Sequence, residues 1–307
     1  MPSNQASLGA LPARFRRSRV LVIGCGDVGS RLVRQSNPRT RFLALATSPE
    51  SAQSLRALGV CPLRGNLDQP RSLSRFAGLA QRVLYLAPPP LQGWTDPRVA
   101  HLLQALRGRS LPQQVVYIST SGVYGDCAGD WVDETRKLAP STARAHRRLD
   151  AETRVRFWGR STGVPVQLLR VPGIYAADRE DGTPVARLQK GTPVLQAQDD
   201  VFTNHIHAND LAHACGKALW RGRPQRSYNI NDDTVLKMGD YFDLAADLLG
   251  LERPPRVPRE GAEAHLSVMV LSFMSESRRM LNTRMKQELG LRLRYPTVRE
   301  GLATMRP

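Results

Sequence analysis

Apolar positions fall into two rhythms over residues 19–172, short unbroken runs and longer stretches with helical spacing, and the two alternate. Val20-Leu21-Val22-Ile23 is a continuous apolar run, as a parallel strand covered on both faces requires, and Ser30-Arg31-Leu32-Val33-Arg34 after it opens a helix. A strand at 41–46, a helix at 49–58, a third strand with its turn at 59–67 and a helix near 71–76 follow. The strand at 82–87 stops at Pro88-Pro89-Pro90, since prolines cannot continue a ladder. A helix at 97–106, a strand at 114–119, a helix after Pro140 and a strand at 165–170 complete the pattern. Repeated βα units of this length predict an α/β fold with a doubly wound parallel sheet.

Beyond Gly173 the elements shorten and Pro and Gly become more frequent, which predicts a smaller C-terminal substrate lobe folded over the strand ends. The expected division is a disordered basic leader at 1–18 and a nucleotide-binding domain at 19–172. A mainly substrate-binding lobe follows at 173–307, with about 200–232 returning to the first domain. Ligands of open α/β sheets sit outside the carboxyl ends of the strands, so a small-molecule substrate is expected between the lobes.

The turn after the first strand is Gly24-Cys25-Gly26-Asp27-Val28-Gly29, with GxGxxG spacing. Its chemistry is that of dinucleotide binding. The first glycine permits the tight turn, the second lets a pyrophosphate approach the backbone, the third lets helix pack on strand, and the helix N-terminus offers free N–H groups. The acidic residue that would hold a ribose 2′-hydroxyl about 20 residues on is absent at Ala46-Thr47-Ser48. Thr47 and Ser48, with Arg56 near in sequence, favour NADP over NAD, the alternative being that Thr47 and Ser48 cap the next helix.

Composition narrows the field further. The chain has 307 residues, 41% of them hydrophobic, which suits a globular protein with a sizeable core. No run approaches a membrane span and no short apolar signal core is present, so the cytoplasm is the expected compartment. Cys25, Cys61, Cys127 and Cys215 are scattered without CxxC spacing, which points to reduced packing residues and to no metal site. The net charge of +17 invites a nucleic-acid reading, yet 39 of the 44 basic residues are Arg spread through nearly every segment rather than gathered in a groove. Specific nucleic-acid binding is therefore not expected.

Five segments together resemble a known family. They are the glycine turn, Gly65-Asn66-Leu67, the stretch from Ile118-Ser119-Thr120-Ser121-Gly122 to Val123-Tyr124-Gly125, the stretch Leu169-Arg170-Val171-Pro172-Gly173-Ile174-Tyr175, and His205-Ile206-His207-Ala208-Asn209-Asp210. On these, residues 19–304 resemble an extended short-chain dehydrogenase/reductase of the NAD-dependent epimerase/dehydratase type. Glu276-Ser277-Arg278-Arg279, Glu288-Leu289-Gly290 and Tyr295-Pro296 resemble its atypical subgroup. The resemblance implies a Rossmann-type sheet, NADP or NAD as cofactor, and contacts to it from Gly24, Gly26, Asp27, Val28, Gly29, Thr47, Ser48, Asn66, Leu67, Ala87 and Arg148. It also offers a homodimer, since many relatives pair through helices beside the sheet.

By the same resemblance Thr120 holds the place of the catalytic Ser or Thr, and the family's Tyr-x-x-x-Lys falls on Arg144 and Arg148. Their i, i+4 spacing keeps both on one helix face while changing the chemistry. Arg148 has the donors and charge to bind ribose hydroxyls as the Lys would. Arg144 cannot release a proton near neutral pH and could instead clamp a carboxylate or phosphate. A proton-shuttling group would then come from Tyr124, Tyr175, His146, His205 or His207. His146 is expected on another helix face, Tyr124 either in the cleft or packed in its turn, and one of the two strand histidines inside with the other exposed. Two function classes stand: an oxidoreductase or epimerase acting on a hydroxyl or carbonyl of a small, anionic or nucleotide-linked substrate, and a catalytically silent cofactor-binding sensor.

Overall fold

A computed structural model describes residues 17–179, 182–264, 266 and 268–305, so most of the expected leader lies outside the described residues. Chain order begins β1 (Arg19–Ile23), α1 (Asp27–Gln35), β2 (Arg41–Ala46), α2 (Pro49–Ala57), β3 (Cys61–Arg64), β4 (Arg82–Tyr85), α3 (Pro97–Leu106) and β5 (Gln114–Thr120). It continues with β6 (Trp131–Val132), α4 (Ala143–Thr162), β7 (Val166–Val171), β8 (Gly173–Tyr175), α5 (Val185–Gln189), β9 (Val194–Leu195) and β10 (Phe202–Thr203). Then come β11 (His205–His207), α6 (Ala208–Arg221), β12 (Arg226–Asn229), β13 (Leu236–Lys237) and α7 (Met238–Leu249).

Seven strands form one sheet in the order β12-β7-β5-β4-β1-β2-β3, and every pairing in it is parallel. The doubly wound α/β fold read from the apolar rhythm is thus the fold of the molecule. One face of the sheet packs on α1 and α6 through Leu32, Leu211, Cys215 and Leu219, and the other on α3 and α4 through Leu102, Leu106, Val155 and Trp158. Strands covered on both sides have no polar face, which is why β1 and the middle of β5 read as continuous apolar runs; β7 carries Gln167 and Arg170, both buried. The segment expected to be helical near 71–76 is a 3-10 helix at Pro70–Phe76, opened by a proline that fixes the first turn. A separate core gathers Tyr175, Leu195, Phe242, Ala245, Met274 and Leu302 in the C-terminal half. The edge strand β12 comes from that half of the chain and lies beside β7.

Candidate functional site

The glycine turn leaves β1 at the carboxyl edge of the sheet. Gly24 has φ +85°, and a Cβ on it would fall 2.6 Å from the backbone nitrogen of Ala87, so only glycine fits where the turn crosses the end of β4. Gly29 lies against Cys25 and Leu86, where a Cβ would come within 3.1 Å of the Cys25 Sγ. Gly26 is different. It is exposed, and a Cβ there would meet none of the described residues within 4 Å. Gly26 is also the N-cap of α1 and supplies no side-chain cap. Asp27, the first helical residue, directs its carboxylate to Arg31 (2.7 Å) and Arg179 (2.9 Å). The orphan N–H groups of the first turn therefore lie beside the open side of Gly26, an arrangement that suits an anion such as a pyrophosphate.

The neighbouring strand ends add further groups. Thr47 is exposed. Ser48 forms a capping box with Ser51, its hydroxyl accepting from the Ser51 N–H at 3.2 Å, so this side chain serves α2 as the capping alternative holds. Arg56 stands in the last turn of α2, eight residues from the Ser48 cap and about 12 Å along the axis from it. Arg64 is the cation that tertiary structure supplies instead: it is exposed at the end of β3, in register with Ala46. Asn66 donates its backbone N–H to Ser72 Oγ (2.9 Å), the Leu67 carbonyl is bonded by His101 Nδ1 (2.7 Å), and buried Ala87 presses on Gly24.

Helix α4 brings the arginines to the same strand ends. Thr142 caps it through the Ala145 N–H, and the buried Arg170–Glu152 pair (2.9 Å) ties its second turn beyond the site to β7. Arg148 Nη1 lies 3.0 Å from the Tyr117 hydroxyl, 3.0 Å from the Ile118 carbonyl and 3.3 Å from the Ala87 carbonyl. This one nitrogen bridges the ends of β4 and β5. Arg147, which sequence reasoning passed over, is buried and donates to the Gly93 carbonyl (2.6 Å). Arg144 is exposed near the start of α4. Partial desolvation by its neighbours lowers its guanidinium pKa from the ordinary value; Glu276 opposes that shift, and the charges of Arg148 and Arg147 add to it. Glu276 reaches this place from the C-terminal half, held by Arg278 (2.5 Å) and by Ser141 Oγ (2.6 Å). Nothing local marked it, because the contact spans 135 residues. Thr120, half-buried at the end of β5, accepts the Gly122 N–H at 3.3 Å and starts the short 3-10 turn Ser121–Tyr124.

The proposed substitutes for a catalytic phenol do not gather at Thr120. Tyr124 is 1% exposed, donates to Asn229 Oδ1 (2.6 Å) and accepts from Arg170 (3.0 Å). Burial raises its pKa to about 12, and the turn folds the ring into the core, as the packed alternative has it. Both strand histidines are buried, against the expectation that one faces solvent, because β11 is covered on both sides: His205 stacks on Tyr241 (4.2 Å) and His207 on Tyr295 (3.8 Å). Desolvation lowers each to about 4, leaving them neutral at physiological pH. Tyr175 is buried with its hydroxyl on the Thr297 carbonyl, and burial pushes its pKa up. His146 packs edge-on to Trp94 at 5.1 Å.

Residues 20–231 match the model of the NAD dependent epimerase/dehydratase family. Over 94% of its length the chain matches 98% of a functionally unknown conserved protein from Silicibacter pomeroyi, with 30% identity and a TM-score of 0.78. The structure of RMD from Pseudomonas aeruginosa complexed with NADPH shares the fold at 21% identity and a TM-score of 0.70, over 94% of this chain and 97% of that one. A GDP-6-deoxy-D-mannose reductase from Pseudomonas aeruginosa is 27% identical over 168 residues, 50% of this chain. The match spans about half, 54%, of that relative's length.

Proposed function

We propose, from the premise that the chain belongs to the NAD dependent epimerase/dehydratase family, that it binds a nicotinamide dinucleotide at the glycine turn and acts on a small substrate in the adjoining cleft. The observation that carries this reading is the pairing of a Gly24 pinned against Ala87 with a Gly26 whose surroundings are open, at a helix start that no side chain caps. That donor set fits a pyrophosphate. NADP is the preferred form, supported by the absence of an acidic residue after β2 and by the exposed cation Arg64 beside Ala46.

When bound, the nicotinamide supplies hydride transfer. The chain's own residues would divide the remaining work. Arg148, braced on the ends of β4 and β5, has its other guanidinium nitrogens for ribose hydroxyls. Thr120 bonds the substrate oxygen, and Arg144 pairs with an anionic group of the substrate, a carboxylate or a sugar-nucleotide phosphate. The reaction is an oxidation, reduction or epimerisation at a hydroxyl or carbonyl, in the cytoplasm, without a tyrosine as the proton carrier. A catalytically silent sensor is the second reading, favoured by the burial of Tyr124, Tyr175, His205 and His207, four of the five proton carriers named from sequence.

Calorimetric titration with NADPH and NADH, followed by turnover assays on sugar-nucleotide substrates, tests both readings. Binding of NADPH in preference to NADH, weakened by Arg64→Ala, with turnover on a nucleotide-linked substrate is the expected result. Stoichiometric binding with no turnover moves the protein to the sensor reading, and failure of both cofactors to bind at millimolar concentration removes the proposal.

A further inference from the structure

The segment after β8 reaches back to the glycine turn. Arg31, 7% exposed on α1, extends Nε to Asp27 (2.7 Å), Nη1 to Asn209 at the start of α6 (2.8 Å), and Nη2 to Asp178 (2.5 Å). Asp178 is thereby fixed, its pKa held low by the hydrogen bond from Arg31. Its neighbour Arg179 then lies across the first turn of α1 with Nη1 on Asp27 Oδ2 (2.9 Å). Its Nε is buried without a partner among the described residues, and Gly182 leaves room for its stem, since a Cβ there would strike it. Three elements distant in sequence are joined here: the helix that starts at the fingerprint, the start of α6 and the chain beyond β8.

We infer that Arg179 is a cofactor-positioning residue, a cation that the C-terminal half places at the open N-terminus of α1 to meet the dinucleotide pyrophosphate. The inference rests on the proposed cofactor site and adds to it a contact the fingerprint does not contain. Backbone N–H groups alone carry only partial charge. Asp27 at the first helical position adds a full negative charge beside the place where two more would come. Arg31 spends its donors on holding the network together, whereas Arg179 commits one nitrogen to Asp27 and keeps others. A guanidinium can bond the carboxylate and a phosphate oxygen at once, because its donors fan out in a plane. The charge of Asp27 is then neutralised, and the segment beyond β8 is tied to the presence of the nucleotide.

The test compares wild type, R179Q and R179K for binding of NADPH and NADH and of reduced nicotinamide mononucleotide, which lacks the pyrophosphate, by nicotinamide fluorescence, with melting temperatures alongside. The expected result is about tenfold or greater weakening of the tighter dinucleotide in R179Q, the loss of one charge-assisted bond. R179K recovers most of the affinity, melting is unchanged, and the mononucleotide shows no difference between variants. Unchanged dinucleotide affinity in R179Q overturns the inference. So does a loss that falls equally on R179K and R179Q together with a lowered melting temperature, which would make Arg179 a packing residue. If wild type binds neither dinucleotide, the proposed cofactor site fails and this inference with it, whereas tight wild-type binding indifferent to R179Q leaves the cofactor site standing.

Discussion

The glycine turn and the start of α4 face the same strand ends but are built from different material. The first is backbone: its selectivity lies in where Cβ atoms are missing and N–H groups are free. The second is long charged side chains, Arg144, Arg147 and Arg148, whose positions depend on acceptors from Gly93, Tyr117, Ile118 and Ala87 and on the carboxylate of Glu276. A backbone device tolerates almost no substitution but needs only local sequence. A side-chain device can be rewritten one residue at a time.

The largest effect is expected where α4 is anchored. Glu152→Ala leaves Arg170 buried at 2% exposure without its counter-charge and should cost about 3–5 kcal/mol of stability in denaturant unfolding. A loss under 1 kcal/mol would show that the arginine side of the site is held by something else. Next is the backbone side: Gly24→Ala drives a methyl into the Ala87 backbone at positive φ and should cost roughly 2–3 kcal/mol and abolish dinucleotide binding. Retained nanomolar or micromolar affinity in a folded Gly24→Ala protein would contradict the backbone origin of that site.

Thr120→Ala should be milder for the fold. It removes one 3.3 Å cap, at a cost of about 1 kcal/mol. It is expected to lower kcat at least tenfold while leaving cofactor affinity intact. A variant with wild-type kcat would take Thr120 out of the chemistry and favour the sensor reading.

The most graded effect is pH-dependent. Burial raises the Asp232 carboxyl to about 7, with Thr234 opposing and Asp233 and Asp210 adding to the rise; Tyr175 and Tyr241 are close enough to feel its charge. The native state therefore keeps a proton that the unfolded chain gives up near pH 4, and stability from this group falls as pH rises from about 4 to about 7 and is flat above. His205 and His207 act oppositely: held neutral down to about 4, they withdraw stability as pH falls from about 6.5. Asp232→Asn should thus gain melting temperature over wild type by an amount that grows between pH 4 and 7 and then stays constant. A gain independent of pH would assign the stabilisation to something other than titration.

Much of the fold was readable along the chain. Strands at Arg41–Ala46 and Gln114–Thr120 and the helix at Pro97–Leu106 follow from apolar runs, prolines at first turns and the rhythm of βα units. So did the glycine turn, because its spacing is set by a backbone requirement. The histidines of β11 were misjudged because positions two apart on a strand share a face, and both faces of β11 are covered. For Tyr124 the packed alternative was legible but its partners were not: Asn229 and Arg170 lie 105 and 46 residues away.

The sequence alone settled the order of strands and helices and the place of the dinucleotide fingerprint, since steric limits on the backbone and the burial of apolar runs act over a few residues at a time. Only the tertiary structure decided that Glu276 meets the start of α4, that Arg179 crosses the first turn of α1 and that Arg64 ends beside Ala46. Those pairings depend on how distant elements pack, and a charged residue carries no local signal of the partner that folding brings to it.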